Sequence, residues 1–150
     1  MSKIIALVVD DSKIMRSAVK RTLDQLMLAE FEYIEAMDGE DALEKFTEEI
    51  HICFVDWNMP KMTGVEFAKA IRQMPGTSHV PIIMVTAEKS MGKVDAALNE
   101  GGANAYVTKP FTNDQMYKAL AKYIDNEGKL VMTPPAEEKK SFFKDMLKLK

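Results

Sequence analysis

The sequence holds one cysteine, Cys53, so no internal disulfide can form and a reducing compartment is expected. Long apolar runs are missing too. None approaches the roughly 20 residues needed to span a bilayer. The first run, Ile4 to Val9, meets Asp10 and Asp11 after six residues, which is too short for a signal peptide. There is no basic excess. The formal charge of −3 argues against a dedicated nucleic-acid binder. No glycine-rich loop follows the first apolar run, which leaves little for a nucleotide-binding module. The two histidines, His51 and His79, flank apolar runs, read as surface residues, and do not lie in a helical setting suited to a phosphorylated histidine. Internal repeats are absent. What is present is ordinary: 150 residues, 47% hydrophobic and 29% charged, enough for one core and one domain. A soluble cytoplasmic protein is expected.

Apolar runs of strand length recur at Ile4–Val9, Phe31–Ala36, His51–Val55, Pro81–Thr86 and Asn104–Thr108. The first, third and fourth are almost continuously apolar, as strands covered on both faces are. The second alternates and is expected nearer an edge. Helical spacing fills the gaps. Met15, Val19, Leu23 and Leu26 form one stripe, with Ser12 as N-cap. A second helix is read in "DGEDALEKFTEE", started by Asp38 or Asp41. A third runs through "TGVEFAKAIRQM" and is stopped by Pro75-Gly76. A weaker one spans "SMGKVDAALNEGG", and the last is "TNDQMYKALAKYID". Five β-α repeats imply an α/β fold: a doubly wound five-stranded parallel sheet with helices on both faces. The character changes near Asn126. Residues 1–126 read as the domain and 127–150 as an extension with a short apolar piece, Pro134-Pro135 and a basic stretch. In that stretch Phe142, Phe143, Met146, Leu147 and Leu149 share one broad face at helical pitch. An amphipathic helix that docks on a face of the domain, its own or a neighbour's, an appendage without packing, and a weak membrane or partner contact all remain open for it. Cys53, inside the third run, reads as an inert buried thiol.

Ligands of open parallel sheets bind at the carboxyl ends of the strands. The residues placed there are Asp10 and Asp11 after the first strand, Asp56 after the third, Thr86 at the end of the fourth, and Lys109-Pro110 after the fifth. Each alone is commonplace: a helix start, a turn former, a loop. Together they read as a site. At 4 Å two like charges repel by roughly 4 kcal/mol at an effective dielectric of 20, so clustered carboxylates need compensation. Oxygen-only ligands suit Mg²⁺. Carboxylate, Mg²⁺, ammonium and hydroxyl together fit phosphoryl transfer onto an aspartate nucleophile.

The motifs "LVVDD", "VDWNMPKMTG", "PIIMVTA" and "AYVTKPF", in that order, resemble the receiver domain of two-component response regulators over about Ser2 to Asn126. Within that family the sequence resembles stand-alone chemotaxis receivers of the CheY type. The resemblance implies a flavodoxin-like strand order 2-1-3-4-5. It implies Asp56 as phosphoacceptor, with Asp10, Asp11, Asp56 and the main-chain carbonyl of Asn58 around Mg²⁺. Lys109 is the implied phosphoryl contact, Thr86 and Tyr106 the switch pair, and Asn58 and Glu88 the tuners of dephosphorylation. A cis Lys109-Pro110 bond is implied as well, and Gly64 is expected to ease the loop into the following helix. The implied partners are a chemotaxis histidine kinase, the flagellar motor switch protein and a phosphatase. The motor is expected to meet the face of the fourth helix, fifth strand and fifth helix, where Met91, Val107, Lys118 and Lys122 lie by position. In this reading the chain is a signalling switch, not a turnover enzyme. Rival readings are a haloacid-dehalogenase-type phosphatase, for which Asn58 and the placing of Asp56 after the third strand are wrong, and a phosphorelay shuttle or a regulator that dimerises through the tail.

Overall fold

The computed structural model describes residues 3–131. Five strands, β1 (Ile4–Val9), β2 (Phe31–Ala36), β3 (Ile52–Val55), β4 (Ile82–Thr86) and β5 (Ala105–Thr108), form one parallel sheet in the order β2-β1-β3-β4-β5. The doubly wound prediction and its strand order hold. The helices are α1 (Lys13–Leu26), α2 (Gly39–Lys45), α3 (Gly64–Gln73), α4 (Met91–Asp95) and α5 (Asn113–Leu120).

Successive strand residues point to opposite faces, and both faces are covered. Leu7, Val9, Cys53, Val55 and Met84 pack with α2, α3 and α4, while Ala6, Val8, Ile52, Phe54, Ile83 and Val85 pack with α1 and α5. This is why the central strands read as unbroken apolar runs. Edge strand β2 is the exception, with only Ala36 buried. Helix starts follow the sequence. The side chains of Ser12, Asp38, Thr63 and Thr112 accept amide hydrogen bonds three residues on, with capping boxes at Thr63–Glu66 and Thr112–Gln115.

Helix ends depart from it. The α2 helix stops at Lys45 rather than running on through Glu49, because Phe46 turns extended and packs into the core, with Ile50 buried just beyond. The weak fourth helix is α for five residues and then π-helical over Ala96–Glu100. The α5 helix ends at Leu120, and the chain beyond it turns back. Gly128 takes φ 78°, Leu130 bridges Ile124, and the Val131 amide donates to the Tyr123 carbonyl at 2.8 Å. The apolar piece of the extension thus lies against the end of α5. The stretch expected to be an amphipathic helix lies outside the described residues.

His51 differs from its surface reading. It is half-buried, and its Nδ1 accepts the Ile5 amide at 2.9 Å, which ties the start of β3 to β1.

Candidate functional site

The backbone itself delivers the site. The parallel ladder runs one residue past the strands: the Asp10 amide donates to Ala36 at 3.1 Å, Asp56 to Val9 at 3.0 Å, and Lys109 to Thr86 at 2.8 Å. Four chain segments therefore end at one edge. There Asp10, Asp11 and Asp56 each offer a carboxylate oxygen within 4.8 Å of the others. Asp10 and Asp56 are buried and Asp11 is exposed. The Lys109 ammonium lies 2.6 Å from Asp10 Oδ2 and 3.7 Å from Asp56 Oδ1. Asp10 Oδ1 accepts the Ser12 amide at 2.9 Å, so the acid also braces the start of α1. Asp56 Oδ1 accepts the Trp57 amide at 2.9 Å, and the Thr86 hydroxyl stands beside the same carboxylate. The Lys109-Pro110 bond is cis.

Burial pushes the Asp56 carboxyl above its usual range. The Lys109 charge, the Thr86 hydroxyl and the Trp57 amide oppose that shift, and the neighbouring Asp10 adds to it. The Lys109 ammonium thus reaches two of the three carboxylates. The donors are all oxygen, one carboxylate faces solvent, and the charge is in excess, a set that fits a hard divalent cation.

Glycine 64 matters for a reason other than the loop freedom expected of it. A Cβ there would lie 2.0 Å from the Asp56 carbonyl oxygen. The start of α3 is pressed onto the acid's own peptide, and the Gly64 amide donates to Trp57 at 2.9 Å. Only glycine permits that approach.

Beside the acids lies a polar clasp. Asn58 Nδ2 donates to Glu88 Oε1 at 2.8 Å, Lys93 Nζ stands 3.6 Å from the same oxygen, and Lys93 sits over the Trp57 ring at 5.1 Å. The Asn58 hydrogen bond, helped by Lys93, holds the Glu88 carboxyl below its usual range. Tyr106 is buried and donates to the Glu88 carbonyl at 2.8 Å. Burial, then the Glu88 and Asp56 charges, keep its phenol protonated.

Asp10, Asp11, Asp56, Asn58, Thr86, Glu88, Tyr106 and Lys109, named from the sequence for the site, fall at this edge. Among the residues placed by position on the neighbouring face, Val107 is buried and faces the core, Met91 and Lys122 are half-buried, and Lys118 is exposed. A residue near the end of an edge strand gives no sequence sign of which side it faces when both sides are apolar. Sequence reasoning also missed two cations. Arg16 donates to the Asp10 carbonyl at 2.6 Å and to Glu35 at 2.9 Å. Its place six residues past Asp10, on the sheet-facing side of α1, was the available signal. Lys93 had none, since its partners come from the β3 and β4 loops.

Residues 6–121 match the family described as the response regulator receiver domain. The chain is 42% identical over 116 residues to a chemotaxis protein CheY homolog of Campylobacter jejuni, covering 76% of this chain and 87% of that one. It is 40% identical over 116 residues to chemotaxis protein CheY1 of Helicobacter pylori, covering 76% and 91%. A solved structure of Vibrio cholerae chemotaxis protein CheY4 superposes with a TM-score of 0.70 at 34% identity, covering 80% of this chain and 98% of that chain.

Proposed function

The chain belongs to the response regulator receiver family, and we propose that it is a chemotaxis switch that carries a phosphoryl group on Asp56. The observation that carries this reading is the buried Asp56 carboxylate, pressed into an acidic excess yet within reach of Lys109 and Thr86. An Asp56 oxygen attacks phosphorus, the bond to the donor imidazole of a partner histidine kinase breaks, and an acyl phosphate results. Asp10, Asp11, Asp56 and the Asn58 carbonyl would hold Mg²⁺. When bound, that ion supplies charge neutralisation for the transferring group. Lys109 then exchanges its carboxylate partners for a phosphoryl oxygen, and Thr86 turns its hydroxyl to another.

Phosphorylation adds roughly one to two negative charges at the site. The readout runs through Thr86 to the loop holding Glu88 and hence to Tyr106, whose hydroxyl grips that loop's carbonyl. The α4–β5–α5 face changes with it and meets the flagellar motor switch protein in the cytoplasm. Hydrolysis ends the signal. Asn58 and Glu88, joined across the rim, govern water entry and offer the purchase for a phosphatase. The receiver unit is assigned to residues 1–126, with 127–150 as an extension. Tail-mediated pairing and a shuttle role remain the rival output.

Mass spectrometry after incubation with acetyl phosphate and Mg²⁺ tests the chemistry. The native chain is expected to gain one phosphate and Asp56→Asn none. A gain retained in Asp56→Asn overturns the reading. Beryllofluoride pull-downs then separate the outputs: capture of the motor switch protein supports the first, and capture of a second phosphotransfer protein the rival.

A further inference from the structure

The Asp10 amide donates to the Ala36 carbonyl at 3.1 Å, and β2 ends at that residue. The donor that reaches the Asp10 carbonyl comes from outside the sheet. Arg16 Nη1 donates to it at 2.6 Å, while Arg16 Nε donates to Glu35 Oε1 at 2.9 Å. One rigid guanidinium thus ties the first acid's peptide to the edge strand. The Arg16 side chain is only 14% exposed. Lys20, one turn further along α1, holds the other Glu35 oxygen at 2.9 Å, so the anchor is itself fixed. Glu35 shares its face of β2 with Phe31 and Tyr33, the face that α1 covers.

The acid that needs this tie is Asp11. The Asp10 carboxylate is set by the Ser12 amide and Lys109, and that of Asp56 by the Trp57 amide and Lys109. Among the described residues nothing hydrogen-bonds or pairs with the Asp11 carboxylate. Its direction follows from the peptide unit it shares with the Asp10 carbonyl, which is planar and turns as one body. We propose that Arg16 is a positioning residue for cation binding: by holding the Asp10 carbonyl it aims the Asp11 carboxylate, and Glu35 acts through it. This rests on the reading of the three acids as the Mg²⁺ site. The Arg16 charge works in the opposite direction, because a cation near the acids opposes a metal ion. Losing the aim weakens binding, and losing the charge alone strengthens it, so the two roles differ in sign. The ion matters as well. Mg²⁺ demands near-ideal octahedral geometry and Ca²⁺ accepts an irregular one, so a misaimed carboxylate penalises Mg²⁺ more.

Calorimetric titration of the full chain with Mg²⁺ and with Ca²⁺ tests this, each variant first being checked for native far-UV circular dichroism. Arg16→Ala is expected to raise the Mg²⁺ Kd about tenfold, as loss of a partner that orients a ligand does, and the Ca²⁺ Kd by less. Arg16→Lys keeps the charge without the fork and is expected to behave like Arg16→Ala. Glu35→Ala bonds none of the three acids, yet it is expected to weaken Mg²⁺ in the native background and to add nothing to Arg16→Ala. Where Arg16→Ala does not fold, Arg16→Lys and Glu35→Ala carry the same comparison of the two ions. Unchanged Mg²⁺ affinity in these variants, equal losses for both ions, or full rescue by lysine overturns the positioning role and leaves the Mg²⁺ site standing. A native chain that takes up neither ion overturns the site reading and the proposal with it.

Discussion

The two ends of the sheet bury charge in opposite ways. At the amino end Arg72, in the last turn of α3, donates to the Gly102 carbonyl at 3.0 Å, the Thr77 carbonyl at 2.7 Å and Asn104 Oδ1 at 2.7 Å. Asn104 Oδ1 also accepts the Ile82 amide at 2.8 Å, and the Thr77 hydroxyl donates to the Met74 carbonyl at 3.1 Å. One cation is held by neutral dipoles, each fixed by the fold. At the carboxyl end three carboxylates cluster, Lys109 reaches only Asp10 and Asp56 among them, and burial pushes Asp56 toward protonation. The first arrangement is complete without any ligand. The second carries an unspent excess of one sign, so its energy falls when a cation arrives. That difference separates a structural buried charge from a working one.

The strongest way to break the comparison is Arg72→Ala. It leaves the Gly102 and Thr77 carbonyls without their donor and is expected to cost about 3 kcal/mol. That is a fall in Tm of roughly 6–12 °C by thermal unfolding. The folded fraction should still accept phosphoryl at the native rate, and a rate that fell with stability would show the two ends to be one unit.

Next in size is Mg²⁺. At about 100 times its Kd, a ligand that binds only the native state adds about 2.7 kcal/mol. The Tm gain should appear in the native chain and in Arg72→Ala, and be lost in Asp11→Asn. An equal gain in all three would place the ion elsewhere.

Asp56→Asn without metal should raise Tm by about 2–4 °C, the change that roughly 1 kcal/mol makes in a domain of this size. Because burial raises the folded-state pKa of Asp56, its ionised form destabilises the fold at neutral pH. That penalty fades as pH falls through the raised value. The advantage of the asparagine should shrink in acid, and one that grew instead would reverse the assigned sign.

The smallest effect belongs to Glu35, on the edge strand. The Lys20 hydrogen bond first, with that of Arg16, holds its carboxyl below the usual range against the opposing effect of partial burial. Such a group stabilises above its unfolded pKa, about 4.3, and loses that contribution as pH falls through its lower folded value. The pair is partly exposed, so Glu35→Gln should cost under about 1 kcal/mol at neutral pH. Denaturant melts should show the difference vanish in strong acid.

The amino-end knot was invisible in the sequence, and the carboxyl-end site was not. Asp10, Asp11, Asp56, Thr86 and Lys109 each follow a strand that its own apolar run announces, and the parallel sheet brings strand ends together by construction. Arg72, Thr77 and Asn104 carry no such mark. They come from a helix end and two loops, and each alone reads as a solvated polar residue. The same holds for the clasp. Asn58 and Glu88 could be named from the resemblance, but the hydrogen bond between them and the reach of Lys93 over Trp57 depend on how two loops lean. Helix ends escaped for a related reason. Phe46 satisfies a helical pattern as well as a core contact, and the need to descend into β3 decided for the core.

Periodicity and spacing alone determined the five β-α units, the double coverage of the central strands and the gathering of acids at one edge. These follow from local rules: alternation, caps, and the direction every strand must run. Tertiary structure decided which way Val107 faces, that Gly64 must admit the Asp56 carbonyl, and that the acids receive one ammonium among three. Those outcomes depend on distances between segments far apart in the chain, which no local pattern encodes.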